Sequence, residues 1–204
     1  MNKKRVFVGL SGGVDSSVAA ALLSARGGSA FGGKERGFDV CGIHIKMWSD
    51  PDIPCNFKED RYDAMAVAAR LDIPFQTWDF TKEYRRAVVE YMIREYASGR
   101  TPNPDVMCNR HIKFGLFLKK ALEAGADYVA TGHYIQLETR DQRLVSSRYS
   151  LISAKDLNKD QSYFLWTLTQ EQLAHCLFPI GEYTKPEVRE LARKFGLSTA
   201  EKPD

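Results

Sequence analysis

Apolar residues follow two rhythms along this chain. Short, nearly unbroken runs at Val6 to Gly9, Asp39 to Ile45, Pro74 to Phe80 and Asp127 to Thr131 read as strands covered on both faces. Between them the spacing turns helical. The segment after Val14 runs as a helix to about Arg26, with Ala19 to Leu23 against the sheet. Asp60 to Leu71 repeats Ala64, Val67, Ala68 and Leu71 on one side. Thr81 opens a helix to about Ala97, with Glu83 in its first turn and Val88, Val89, Met92 and Tyr96 as core contacts. The β-α-β-α-β-α order predicts an α/β fold, a mostly parallel sheet with helices on both faces.

The order breaks at 99–108, where Pro102 and Pro104 exclude a helix interior. Asn109 is the expected N-cap of a helix over 110–123. Residues 134–152 alternate and carry charges, as in a β-hairpin. Gln161 to Leu177 and Thr184 to Phe195 read as two further helices. Residues 1–150 are thus expected to form one domain and 151–204 a small helical segment. Gly27 to Gly37, with five glycines, is a surface loop, either a flap or an inert insertion.

Composition adds bounds. A hydrophobic content of 44% and a charged content of 27% fit a globular domain, and no apolar run is long enough for a membrane span. Met1 to Arg5 leads directly into the first strand without a leader, so a cytoplasmic setting is expected. The net charge of +3 is compatible with a polyanion and weak as evidence. Cys41, Cys55, Cys108 and Cys176 form no CxxC half-site, so a special cysteine is expected to be catalytic rather than structural. Cys41 and Cys176 sit in apolar segments. Cys55 lies in a crevice-side loop and is a candidate second thiol.

Two stretches carry candidate chemistry. In the first, Gly9-Leu10-Ser11-Gly12-Gly13-Val14-Asp15-Ser16 joins a strand to a helix. Its glycines let backbone N–H groups approach an anion, the helix dipole points the same way, and the serines add hydroxyl donors. The lysine of a Walker loop is missing, and Asp15 stands where repulsion of phosphate is greatest unless it caps the helix or holds a metal ion. This predicts a site for ATP with Mg2+, attacked at the α-phosphate with loss of pyrophosphate. Ile45, at the end of the second strand, either meets the adenine or is a core residue. In the second stretch, Cys108 is expected just before a helix whose N-terminus favours thiolate, with Arg110 and Lys113 adding positive field and Asp105 placed as acid or base; the alternative is a quiet buried cysteine.

Ser11-Gly12-Gly13-Val14-Asp15-Ser16-Ser17 resembles the PP-loop of the N-type ATP pyrophosphatases, which include GMP, NAD and argininosuccinate synthetases and several tRNA-modifying enzymes. Thr101-Pro102-Asn103-Pro104-Asp105-Val106-Met107-Cys108-Asn109-Arg110-His111-Ile112-Lys113-Phe114-Gly115 resembles the signature of the tRNA-specific 2-thiouridylases. Ala130 to Tyr134, Asn158 to Leu165, Leu177 to Glu182 and Thr184 to Arg189 agree with that family in order. The resemblance spans nearly all 204 residues.

The resemblance implies a Rossmann-like, adenine nucleotide alpha hydrolase-like sheet and an enzyme that replaces the 2-oxygen of the wobble uridine of tRNA with sulfur. By position, Gly9, Leu10, Ser11, Gly12, Gly13, Val14, Asp15 and Ser16 would bind ATP, with Ile45 and Gly132. Cys108 would be the nucleophile and Asp105 its acid/base partner. Asn103, Pro104 and Asp105 would face the target base; His133, Lys159, Asp160 and Gln161 would contact tRNA. No protein ligand set for a metal is implied beyond Asp15 through magnesium, and a persulfide sulfur-relay protein is the implied partner. Bland readings stand beside these: His133 as a strand cap, Lys159-Asp160 as a solvated turn, and Trp48, Trp78 and Trp166 as packing residues, Trp48 being also placed for stacking.

The chain departs from the family at three places, one being the glycine-rich insertion at 27–37, which is longer than the family's usual turn. It ends at Ala200 to Asp204, where the family continues with a second, persulfide-carrying cysteine and β-rich tRNA-gripping domains, so a truncated form is expected. His44-Ile45 also replaces a more usual aromatic–Met pair. Two other functions fit the first motif: another PP-loop ligase, such as an amidating synthetase, and a non-catalytic ATP- or tRNA-binding module.

Overall fold

The computed structural model describes residues 3–24, 37–50, 56–139 and 149–203. Cys55, the glycine-rich stretch apart from Gly37, and the tip of the expected hairpin lie outside the described residues. Among the described residues, five parallel strands form the sheet in the order β3-β2-β1-β4-β7. These are β1 (Arg5–Gly9), β2 (Asp39–Lys46), β3 (Phe75–Asp79), β4 (Tyr128–Ala130) and β7 (Cys176–Leu177). Register is set by Phe7 opposite both Cys41 and Val129. The strands β5 (Ile135–Thr139) and β6 (Tyr149–Ser153) pair antiparallel as the expected hairpin.

Alternation along β1 separates two cores. Val6 and Val8 face α1 (Val14–Leu23), α2 (Phe57–Leu71) and α6 (Lys185–Phe195). Phe7 faces the other way, toward α3 (81–97) and α4 (104–123), where Trp78, Ile112, Phe117 and Cys108 are buried. Each buried aliphatic or aromatic side chain contributes roughly 1.5–3 kcal/mol relative to exposure, so the sheet is held from both faces. The predicted positions Ala64, Val67, Ala68 and Leu71 are all buried.

Several expectations are corrected. Helix α4 begins at Pro104 rather than after Asn109, and its N-cap is Asn103, whose side chain accepts from the Val106 N–H at 3.1 Å. Proline at N1 costs the helix nothing, because that N–H has no intrahelical partner. Residues 161–177 are not one helix: a 3-10 turn (Ser162–Phe164), a short α5 (Gln170–Leu173) and β7 occupy the stretch. In α3, π-wound over Arg85–Val89, the added residue per turn shifts the following face, and Tyr96 stands 60% exposed instead of in the core. Trp78 packs as expected, whereas Trp166 is 72% exposed. No helix among the described residues is long and apolar enough to cross a membrane.

Candidate functional site

In an open α/β sheet, ligands lie at the carboxyl ends of strands where the order reverses. Here β1 has β2 on one side and β4 on the other, and a cavity of about 410 Å³ opens at that end. Gly9, Leu10 and Ser11 wall it from β1, His44 and Ile45 from β2, and Thr131, Gly132 and His133 from β4. Asp15 and Ser16 line it from α1, Lys113 and Phe117 from α4, and Gln161 from the loop after β6.

The glycine loop holds its shape through close approaches. Gly12 adopts φ +86°, in the left-handed region, and a Cβ there would overlap the Asp60 backbone. A Cβ on Gly132 would stand 2.6 Å from the Ser16 nitrogen, so this glycine lets the end of β4 press against the start of α1. Ser16 and Ser17 hydroxyls donate to the Gly13 carbonyl at 3.1 and 2.7 Å, and the Ser11 N–H donates to Ser16 Oγ at 3.2 Å. Asp15 makes no cap. Its Oδ1 accepts from the Tyr134 hydroxyl at 2.8 Å, and both oxygens accept from Lys185 Nζ at 2.8 and 2.9 Å.

Two histidines on the wall are held neutral. Burial pushes the His133 ring well below its ordinary value, with Lys113 adding to the shift; its Nδ1 lies 2.8 Å from Thr131 Oγ1. Burial likewise lowers His44, against the opposing bond of its Nδ1–H to the Leu10 carbonyl at 2.9 Å. Among the described residues, the buried His44 Nε2 has no hydrogen-bond partner.

Cys108 is not at a helix N-terminus but in the second turn of α4, 7% exposed. Burial raises its thiol pKa, Lys113 opposes the rise and Asp105 adds to it, so the expected thiolate is corrected to a protonated thiol. The next stretch of α4 is π-wound over Asn109–Phe117 and carries Lys113 to the cavity wall; Gly115 gives the Arg110 carbonyl the room this winding needs. Asn103 and Asp105 are exposed and Pro104 is half-buried.

The structure therefore brings Gly9, Leu10, Ser11, Asp15, Ser16, Ile45, Gly132, His133 and Gln161 onto one wall. Gly12, Gly13 and Val14 shape the loop behind it. Cys108, Asp105 and Pro104 belong to the same helix as Lys113, and Asn103 caps it, without lining the cavity. Gln161 is fixed by a paired bond with Tyr134: its side chain accepts from the Tyr134 N–H and its own N–H donates to the Tyr134 carbonyl, each at 2.9 Å. Asp160 accepts from the Ala154 N–H and the Ser162 hydroxyl, and Lys159 stands outside, beside Lys185, Arg189 and Arg193.

Sequence reasoning missed Lys113 as a cavity residue and the partners of Asp15. It also missed Tyr84, which burial and the nearby Cys108 and Asp105 push to a higher pKa. Lys113 was legible in one respect: it lies five residues after Cys108, one π-turn away.

Known proteins resemble this chain at both levels. A tRNA-specific 2-thiouridylase MnmA of Flavobacterium johnsoniae is 54% identical over 207 residues, covering 98% of this chain and 49% of that protein. The one from Lactococcus lactis subsp. lactis is 51% identical, over 98% and 50%. The chain spans about half the length of these curated relatives. Among solved structures, the U34-tRNA thiolase NcsA from Methanococcus maripaludis superposes with a TM-score of 0.58 at 17% identity, over 100% of this chain and 61% of that one. An NMN synthetase from Francisella tularensis does so at 0.55 and 16%, over 100% and 66%. These distant likenesses establish the fold. The family match is broader and runs from residue 4 to residue 204: the chain belongs to the tRNA methyl transferase HUP domain family.

Proposed function

We propose that this chain is the ATP-binding catalytic part of a tRNA-uridine 2-sulfurtransferase. The observation that carries the reading is one cavity. It joins the glycine loop, Gly132 and Lys113 of the Cys108 helix, in a chain 54% identical to a protein named as a 2-thiouridylase. The family's description speaks of methyl transfer, whereas the relatives' names speak of thiolation. An anion cradle beside a helix that carries a cysteine favours the second, since adenylation needs the cradle and sulfur transfer uses a thiol.

In this reading the phosphates lie over the Gly9–Ser16 loop and the adenine between Ile45 and Gly132. The target uracil is met by Asn103, Pro104 and Asp105, and the tRNA by His133 and Lys159–Gln161. Uracil O2 attacks the α-phosphorus; a P–O bond forms and pyrophosphate leaves. The outer sulfur of the donor persulfide, R–S–S⁻, then adds at C2 and AMP departs, taking the former O2. Cys108 is the nucleophile that attacks the inner sulfur: the S–S bond breaks, the outer sulfur stays on C2 as the thiocarbonyl, and the donor thiol is left in a disulfide with Cys108. The Cys108 thiol is protonated when buried, so Asp105 takes its proton before this attack. An unstacked anticodon base reaches such a site at little cost.

Magnesium fits only as a companion of the phosphates. Among the described residues no group of three or more His, Cys, Asp or Glu is placed to hold a metal ion, and both Asp15 oxygens already accept from Lys185. The persulfide donor, the relay protein and a cytoplasmic setting belong to this same proposal, as does the division into a 1–150 catalytic unit and a 151–204 segment.

The test is pyrophosphate release from ATP with unmodified tRNA. Release is expected only with tRNA carrying uridine at the wobble position. Equal release with a wobble-cytidine tRNA, or with none, would overturn the proposal.

A further inference from the structure

As a phosphate site the glycine loop is short of one cation and carries one carboxylate too many. The missing cation arrives from far along the chain. Lys185, the first residue of α6, places Nζ on both oxygens of Asp15, with its side chain only 11% exposed. Three features fix Lys185 in place. Thr184 and Glu187 form a capping box at the start of α6. The Lys185 N–H donates to Asp156 Oδ2 at 2.9 Å. Val188, Leu191 and Ala192 pack into the core beside α1.

The other acid on the cavity wall is treated alike. Asp60 Oδ1 accepts from Lys202 Nζ at 2.8 Å, and the same ammonium reaches Asp63 at 2.6 Å. Arg189 Nη1 donates to the carbonyls of Ala200 and Lys202, each at 2.9 Å, and so holds the end of the segment on α6. Among the described residues, both carboxylates that line the cavity are thus paired with a lysine from 185–202.

We infer that Lys185 is a positioning residue of the nucleotide site: by neutralising Asp15 it lets a polyphosphate approach a loop that has no lysine of its own. Lys202 does the same for Asp60. The segment 185–202 then sets the charge of the site, while the glycine motif sets its shape. This inference rests on the reading of the cavity as a nucleotide site.

A purely structural ion pair, one that only pins α6 to α1, predicts a different pattern of binding. The experiment measures the affinity of adenosine, AMP, ADP and ATP, with magnesium, for the wild type, K185M, K185R, D15N and D15N/K185M. With K185M, adenosine is expected to bind within about twofold of wild type, while ATP loses about tenfold or more, the loss growing with each phosphate. K185R retains most of the affinity. D15N/K185M, which has neither charge, recovers ATP binding to within about threefold.

The inference is overturned if K185M binds ATP like wild type, if it loses adenosine and ATP equally, or if the double variant is no better than K185M. Should K185M not fold, D15N alone decides. A surplus lysine tightens ATP, whereas weaker binding means that Asp15 serves the ligand directly and the inference fails. Wild type that binds none of the four removes the nucleotide reading itself, and this inference with it.

Discussion

The glycine loop and the cysteine helix both lie at the carboxyl side of the sheet, yet they are prepared in opposite ways. The loop is polar, its form is set by contacts that only glycine permits, and its one carboxylate is neutralised by Lys185 and accepts a hydrogen bond from Tyr134. As the proposed nucleotide site it is already shaped. The Cys108 sulfur is covered by apolar neighbours, and burial outweighs Lys113 in deciding its protonation. Under the proposed function, such a site keeps Cys108 in the protonated form until its surroundings change. Preorganised binding and withheld reactivity are separable here because one is built from backbone shape and the other from desolvation.

The sharpest break between the two regions is Cys108→Ser. Thiolation by the intact enzyme is expected to fall by at least about a thousandfold, since a hydroxyl is a far weaker nucleophile. ATP affinity should stay within about twofold. Retained turnover with ammonia as acceptor would turn the reading toward an amidating ligase. Loss of ATP binding would mean that the two regions are not separable.

The complementary break is Gly12→Ala. A side chain at φ +86° is strained, and its Cβ overlaps the Asp60 backbone, so α2 or the loop must shift. A destabilisation of at least about 2 kcal/mol in denaturant melts is expected, with ATP binding lost in whatever fraction folds. Cys108 reactivity toward a small alkylating reagent in that folded fraction should change little. Gly132→Ala, which crowds Ser16 at 2.6 Å, should act in the same direction.

How much of this was open to sequence reasoning follows from the range of the contacts involved. The β1–loop–α1 unit is written in consecutive residues, and its reading needed only local rules. The two prolines exclude a helix interior and neither lies in one; what the local pattern hides is that Asn103 followed by Pro104 is itself a helix start, so α4 opens there rather than after Asn109. Residues 161–177 look helical by composition, but Leu165 is drawn into the core and Cys176–Leu177 is drawn beside β4. Tertiary pairing there overrides local preference. Lys185 stands 170 residues from Asp15, and no local pattern joins them. For Cys108 the residue type allows both a reactive thiol and a quiet buried one, and helix position alone does not choose between them, because it says nothing of what packs over the sulfur.

A smaller effect sharpens the contrast at the thiol. Asp105 raises the Cys108 pKa and Lys113 lowers it. Asp105→Asn is therefore expected to move the pH midpoint of alkylation down, and Lys113→Met to move it up. If Asp105 also serves as the acid/base, Asp105→Asn lowers the rate of thiolation even while it eases ionisation. Midpoints that move together, or not at all, would show that burial alone governs the sulfur.

The smallest effect concerns the acid limb and returns to the loop. Glu187 is held down to about 2 from an ordinary 4.5, first by its bond with Lys155 and then by the N–H and hydroxyl of Thr184. A depressed carboxylate contributes its stability in full above the unfolded-state value and loses it as pH falls through the folded one. The window is thus from about pH 4.5 down to about 2. Thermal midpoints should fall across that window in the wild type and fall less steeply in Glu187→Gln, which keeps the shape of the capping box without the charge. The side chain is solvent-accessible, so the shift in midpoint is expected to be small. Because the same box sets the first turn of α6, from which Lys185 reaches Asp15, ATP affinity should weaken in step with the midpoint as acid is added. An ATP affinity that holds steady while the α6 cap titrates would show that the loop does not depend on its distant lysine.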